Sequence, residues 1–230
     1  MLPIISVGSL KTSGTTTLAL TLASVAAAAE IPVFLIDAAR DKDLVAWAAK
    51  DGCPAFVHVE AARDDATLER LVRAARRRGN LAIIDAGDVA DTIRFSARLA
   101  DKTLIPVRFS VLSAYAAADT EDMLAADSGQ GRVGRERAFV ATALATIPSR
   151  IARLVESAIE TSGAARLDTA LLLRTAYEAP FLHGGTIFTL DDDAAPSLDR
   201  ARAEAASLAY EAGILGGRAS DVNHVFRQAA

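Results

Sequence analysis

Two aspartates and a threonine-rich loop are the residues of this chain whose types and spacing suit chemistry. The stretch VGSLKTSGTTTLAL, residues 7–20, leads from a short apolar run through Gly14 into a segment of helix formers. A strand, a glycine-containing turn and a helix start form a natural anion site, because loop N–H groups and the helix dipole both favour negative charge. The phosphate-loop pattern G-x-x-x-x-G-K-[ST] places a lysine on the outer phosphates and a hydroxyl on magnesium. Here Gly14-Thr15-Thr16 stands where Gly-Lys-Thr would be, so Thr15 replaces the phosphate lysine. On the loop alone two readings stand: a phosphate site with altered chemistry, or a threonine-capped helix after a turn.

Asp37 and Asp85 weigh toward the first. Each closes an apolar run, VFLID at 33–37 and LAIID at 81–85. A carboxylate at the end of a buried strand is suited to organising magnesium and water beside a phosphate loop, although such an aspartate also often only caps a helix. Other chemistries lack support. Ser110 and Ser113 have no His or acidic partner at hydrolase spacing. His58, His183 and His224 have no metal-ligand spacing with one another or with Cys53, and the acidic run Asp191-Asp192-Asp193 is explained by helix capping and solvation. Trp47 reads as a core anchor.

The elements that must position these residues alternate between strands and helices. Apolar runs predict strands at Leu2–Val7, Val33–Asp37, Ala55–Val59, Leu81–Asp85, Thr103–Val107, Ala138–Leu144, Leu171–Leu173 and Thr186–Thr189. Helical patterns cover Thr15–Ala29, Asp65–Arg78, Asp88–Leu99, Ser113–Ala126, Ser149–Thr161 and Pro196–Glu211, with a short final helix at Asp221–Arg227. In Asp65–Arg78 the residues Leu68, Leu71, Val72 and Ala75 form one stripe, arginines crowd the last turn, and Gly79 ends it. Asp127–Arg135 reads as a loop by composition. Alternation along the whole length predicts an α/β fold, a mostly parallel twisted sheet flanked by helices in three layers, and one domain over residues 1–230.

Composition narrows the class. With 230 residues and 51% hydrophobic side chains the chain can bury a sizeable core. A formal net charge of -4 excludes a generally basic nucleic-acid binder, so any DNA contact would come from a local patch. One cysteine permits no internal disulfide and no cysteine-rich metal site within a chain, and with no signal-like or membrane-spanning stretch the expectation is a cytoplasmic protein.

With these residues in view, the sequence resembles the ParA/MinD family of deviant Walker-type P-loop ATPases over nearly its whole length. SLKTSGTTTLAL is similar to the family loop S-L-K-G-G-x-G-K-[ST]-T-L-A, one residue shorter and without the early glycines. VFLIDA and IIDAGD resemble its second-strand and Walker B motifs, ADKTLIPV its A-D-x-v-L-I-P-v segment, and YEAPFLHGG its E-A-P-x-x-G segment. The resemblance implies ATP or ADP with Mg2+ as cofactors, held by Lys11, Thr12, Ser13, Gly14, Thr15, Thr16, Thr17 and Asp85. Thr16, Asp37 and Asp85 would serve the metal. Lys11 would be the signature lysine that reaches a partner's phosphates, and Asp37 would orient the attacking water. It further implies a nucleotide-sandwich homodimer, non-specific DNA binding through Arg150, Arg153 and Arg174, nucleoid association, a ParB-like or other adaptor, and no membrane insertion. The loss at Thr15 implies weak or slow hydrolysis of ATP, or a scaffold without turnover. A ligase of the dethiobiotin-synthetase kind would need the lysine, and an iron-sulfur reductase would need two cysteines.

Overall fold

The computed structural model describes residues 1–11, 14–128, 135–147, 149–160 and 163–216. Thr12 and Ser13, most of the expected loop at 127–135, and the expected helix at 221–227 lie outside the described residues. The chain runs β1 (Ile4–Gly8), α1 (Thr15–Ala28), β2 (Val33–Asp37), α2 (Asp43–Ala48), β3 (Val57–Ala61), α3 (Asp65–Arg78), β4 (Leu81–Gly87) and α4 (Ala90–Leu99). It continues through β5 (Lys102–Val107), α5 (Val111–Ser128), β6 (Glu136–Ala141), α6 (Arg150–Glu160), β7 (Ala165–Arg166), α7 (Ala179–His183) and α8 (Leu198–Glu211).

All strand pairs are parallel, in the order β3-β2-β4-β1-β5-β6-β7. β1 therefore sits at the point where the chain reverses its direction of travel across the sheet, and the ends of its neighbours leave a crevice there. Side chains alternate between the faces. Ile5, Val7, Leu35, Ile83 and Leu104 pack with α1 and α8. Ile4, Phe34, Ile36 and Ile84 pack with α3. Ile105, Val107 and Phe139 join α5 and α6 on that second side. Leu18, Ala19, Leu22, Ala23 and Ala26 of α1 are all fully buried, because α8 covers the helix from outside. Small side chains on α1 and α8 permit that close approach.

The three layers match the expected architecture, and most elements fall within a few residues of their sequence pattern. α3 begins and ends where its signals stand: Asp64 accepts the Thr67 N–H at 2.7 Å, and Gly79 closes it with φ 71°. Two expected strands differ. Leu171–Leu173 forms only a bridge, Leu172 to Leu144, beyond the end of β6. Thr186–Thr189 is a turn, because Thr186 and Thr189 satisfy each other's backbone locally: the Thr186 N–H donates to Thr189 Oγ1 at 2.8 Å and the Thr189 N–H to the Thr186 carbonyl at 3.0 Å.

That turn is pinned to the short helix α2. Trp47, 1% exposed, donates its indole N–H to the Gly185 carbonyl at 2.8 Å. Gly184 has φ 81°, and a Cβ there would stand 2.2 Å from the Asp51 carbonyl oxygen. Trp47 thus anchors both the segment after Asp37 and the EAP region. Replacing it by Ala should cost about 3–5 kcal/mol of unfolding free energy. Trp47→Phe, which loses chiefly the hydrogen bond, should cost about 1–3 kcal/mol; urea unfolding of both variants measures the two terms.

Candidate functional site

Parallel register brings the two aspartates together. Asp37 pairs with Asp85 across β2 and β4, and Asp85 pairs with Val7 on β1, one residue before the loop begins. By the alternation of the strands both carboxylates lie on the side of α1. Both are 0% exposed.

Asp85 is held at two points. Thr16, in the first turn of α1, donates its hydroxyl to Oδ2 at 2.6 Å, and the Gly87 N–H donates to Oδ1 at 3.1 Å. Thr15 is also buried, and its side chain is the least of the influences that lower the Asp85 carboxyl. The residue in the lysine's place is therefore turned inward to the carboxylate. Asp37 is split in function. Its Oδ2 accepts the Leu44 and Val45 N–H groups at 3.1 and 3.2 Å, which caps α2 from a distance. Its Oδ1 is buried without a partner. Lys42 beside it donates to the Asp37 and Ala62 carbonyls at 3.0 and 2.8 Å.

Burial raises the Asp37 carboxyl above its ordinary range, against the hydrogen bonds from Val45 and Leu44 and the charge of Lys42. Burial pushes Asp85 up to about 6; Asp37 adds to the rise, while the hydrogen bonds from Thr16, Gly87 and Thr15 oppose it. Two buried carboxylates with few donors favour a nearby cation.

The described residues of the loop above them have the features of an anion site. Gly14 adopts φ 86°, and a Cβ there would meet nothing within 4 Å, so the glycine serves conformation rather than close packing. α1 begins without a side-chain cap and without an acidic residue in its first turn, which leaves the leading N–H groups to an anion. The loop's early part is fixed by the Ser9 N–H to the Gly87 carbonyl at 3.2 Å and the Leu10 N–H to Thr120 Oγ1 at 3.0 Å. Ser9 Oγ is buried without a partner, and Lys11 is exposed. A cleft of about 50 Å³ adjoins the loop, with Gly14, Thr17, Arg108, Thr142, Arg174 and Tyr177 in its wall.

The donor set fits magnesium delivered with phosphate. Mg2+ demands oxygen ligands, and the Thr16 hydroxyl keeps a lone pair after donating to Asp85. Among the described residues no group of three or more His, Cys, Asp or Glu side chains is placed to hold a metal by itself. A cation would therefore complete its shell with phosphate oxygens and water.

The structure thus brings together Gly14, Thr15, Thr16, Thr17, Asp37 and Asp85 around one edge of the sheet, with Lys11 at its rim. It does not unite the three expected DNA-contacting arginines. Arg150 and Arg153 are exposed on α6. Arg174 forms a part-buried ion pair with Glu204 of α8, donating from Nε at 3.1 Å and from Nη2 at 2.5 Å, and Tyr177 shares the same carboxylate. Its charge is committed inward, so it is no free DNA contact. The role of Lys42, the cap donated by Asp37 and the approach of Arg108 to the cleft had no local sequence signal, because each depends on contacts across strands.

A parallel sheet with a glycine-turned loop at its reversal point and two strand-end carboxylates beneath it is a P-loop NTPase-like domain. Comparison with solved structures shows the same fold. The chain is similar to Cyanothece McdA(D38A) in complex with ATP, at 13% identity with a TM-score of 0.73, covering 94% of this chain and 98% of that one. It is similar to MinD of the Aquifex aeolicus MinC:MinD cell division complex, at 17% identity and a TM-score of 0.69, covering 94% and 97%. It is similar to the Pyrococcus horikoshii septum site-determining protein MinD with Mg-ADP, at 16% identity and a TM-score of 0.68, covering 94% and 98%. No protein-family model and no curated protein matches the sequence. At these identities McdA and MinD show that this chain has their fold.

The raised Asp85 carboxyl sets a pH dependence. A carboxyl that binds its proton more tightly when folded contributes stability that is complete below the unfolded value of 3.8 and is lost as pH rises through about 6. Asp37 acts with the same sign. The ligand-free protein should lose on the order of 3 kcal/mol through this carboxyl between pH 4 and 7. Asp85→Asn should remove most of that slope. Denaturant midpoints measured across the range check it, and an unchanged slope in the variant would show Asp85 ionised as in water.

Proposed function

We propose that this chain is a ParA/MinD-type nucleotide-binding protein for intracellular partition or positioning, which binds ATP and ADP with Mg2+ and hydrolyses ATP slowly. The observation that carries the reading is the Thr16–Asp85 contact beside the half-partnered Asp37, under an uncapped α1. The N–H groups from Gly14 to Thr17 receive phosphate oxygens. Thr16, Asp85 and Asp37 hold Mg2+, directly or through water, and the ion when bound neutralises phosphate charge. Asp37 Oδ1, buried and without a donor, accepts a proton of the attacking water and orients it. The exposed Lys11 reaches phosphate in its own loop or in a second copy. Thr15 brings no charge to the leaving phosphates, and this is the physical reason for slow turnover.

Nucleotide then acts chiefly as a switch for self-association. The MinC:MinD complex is a neighbour with a partner protein bound, and an adaptor is the corresponding proposal here. DNA contact falls to Arg150 and Arg153, whose small number makes it weak and salt-dependent.

A second reading, a scaffold that dimerises and recruits a partner without turnover, draws support from the inward-turned Thr15 and from an apolar groove of about 440 Å³ between α5 and α6. Ile151 and Leu154 are 56% and 64% exposed there, next to Arg150 and Arg153. That mixture suits the apolar face of an acidic amphipathic helix from an adaptor better than it suits bare phosphates.

Calorimetric titration with ATP and a non-hydrolysable analogue, in millimolar Mg2+, tests the main reading. Wild type should bind both. Thr16→Ala should weaken magnesium-dependent binding by roughly tenfold or more, and Lys11→Ala should reduce nucleotide-dependent dimerisation seen by light scattering. No binding by wild type at millimolar nucleotide would overturn it. Phosphate release that stays at zero with DNA and adaptor present would select the scaffold instead. Arg150→Ala with Arg153→Ala should weaken DNA binding and lower its salt slope by about two; fluorescence anisotropy at several salt concentrations reads both.

A further inference from the structure

We propose that Arg108 is the cation that serves this phosphate loop in place of the lysine lost at Thr15. The ligand it would meet is a phosphate-bearing one, and the inference rests on the nucleotide reading only for the identity of that ligand. Arg108 follows β5 directly, and β5 lies against β1, with Leu104 paired to Val7. The Arg108 backbone is fixed: its N–H donates to Ser113 Oγ at 2.9 Å, while the preceding Val107, fully buried, accepts the Thr142 N–H at 2.9 Å. The residue thus issues from a rigid strand end beside the loop, and it lines the same cleft as Gly14 and Thr17.

Two cations line the cleft, Arg108 and Arg174, and they differ in how their charge is used. Lys42 is engaged by two backbone carbonyls. Arg174, on the same cleft, is neutralised by Glu204. Lys11 stands exposed at the rim, before the two loop residues outside the described set. Arg108 has no ion pair among the described residues, is exposed and lines the cleft. Glu178 shares the wall, with no ion pair among the described residues. The uncapped helix start and the unpartnered, fully buried Asp37 Oδ1 on the same sheet edge point independently to a charged ligand with its metal. A planar guanidinium suits phosphate oxygens, which it can grip by two parallel hydrogen bonds. A cation that arrives from β5 approaches from the side of Thr17, whereas a lysine at position 15 would approach along α1. The expected consequence is retained affinity with poor stabilisation of charge on the terminal phosphate.

Binding of ATP, ADP, adenosine and pyrophosphate, each with Mg2+, is measured by calorimetry on wild type, Arg108→Ala, Arg108→Lys and the distant surface control Arg77→Ala. Thermal melts confirm that each variant is folded, as expected for an exposed side chain. Arg108→Ala should weaken ATP and ADP by roughly 10- to 100-fold and pyrophosphate similarly. Adenosine should be unaffected, Arg108→Lys should recover part of the loss, and Arg77→Ala should match wild type. Equal ATP affinity in Arg108→Ala and wild type would overturn the assignment. Arg108-dependent binding of pyrophosphate with no binding of ATP would uphold the assignment and refute the nucleotide reading. Binding of none of the probes by wild type would refute both.

Discussion

The hydrogen bond from Thr16 to Asp85 is the contact on which the site depends. It ties the first turn of α1 to the end of β4 and so fixes how the loop between β1 and α1 closes. It also supplies one of the few donors available to a carboxylate that is wholly buried. Desolvation of such a group is expensive unless hydrogen bonds or a cation compensate. Asp37, on the adjacent strand in direct register, repeats the problem with fewer donors. The sheet thereby concentrates negative charge under a helix start that presents positive partial charge. A ligand carrying both signs, phosphate above and a divalent cation below, resolves the two imbalances together.

The exchange of lysine for Thr15 changes that balance in two directions. It removes a positive charge from the loop, and it places a buried hydroxyl beside Asp85. Thr15 is 8% exposed, which a charged side chain at the helix start could not easily match. The loop is therefore better satisfied without ligand than a loop with a free lysine would be, and less able to stabilise charge that develops during phosphoryl transfer.

How much of this was legible in the sequence depends on whether the controlling contact is local. β2 and α3 coincide with their patterns because their signals are contained within them: a continuous buried run ending at Asp37, and an amphipathic stripe between Asp64 and Gly79. The glycine turn before α1 and the two strand-end aspartates were likewise readable from chain order. α2 was not, since its cap is the side chain of Asp37, several residues upstream on a strand. The Thr186–Thr189 segment has strand-forming residues, yet the paired glycines before it and the Trp47 bond fold it into a turn. Arg174 looked like a surface cation because its partner Glu204 lies on a distant helix.

The same distinction bears on function. Motif reading scores position 15 as a loss, since it compares one residue with one residue. Phosphate charge is neutralised by the sum of cations within reach, whichever strand supplies them. In a parallel sheet the ends of β1, β4 and β5 open into one crevice, so a residue after β5 can take over a task that was lost from the loop after β1. What such a substitute cannot reproduce is direction. Catalysis requires the cation to stand where charge appears in the transition state, whereas binding requires only that it stand near the ground-state charge. On the proposed reading, a protein that keeps Asp37, Asp85 and Thr16 while moving its cation is built to hold nucleotide more than to hydrolyse it.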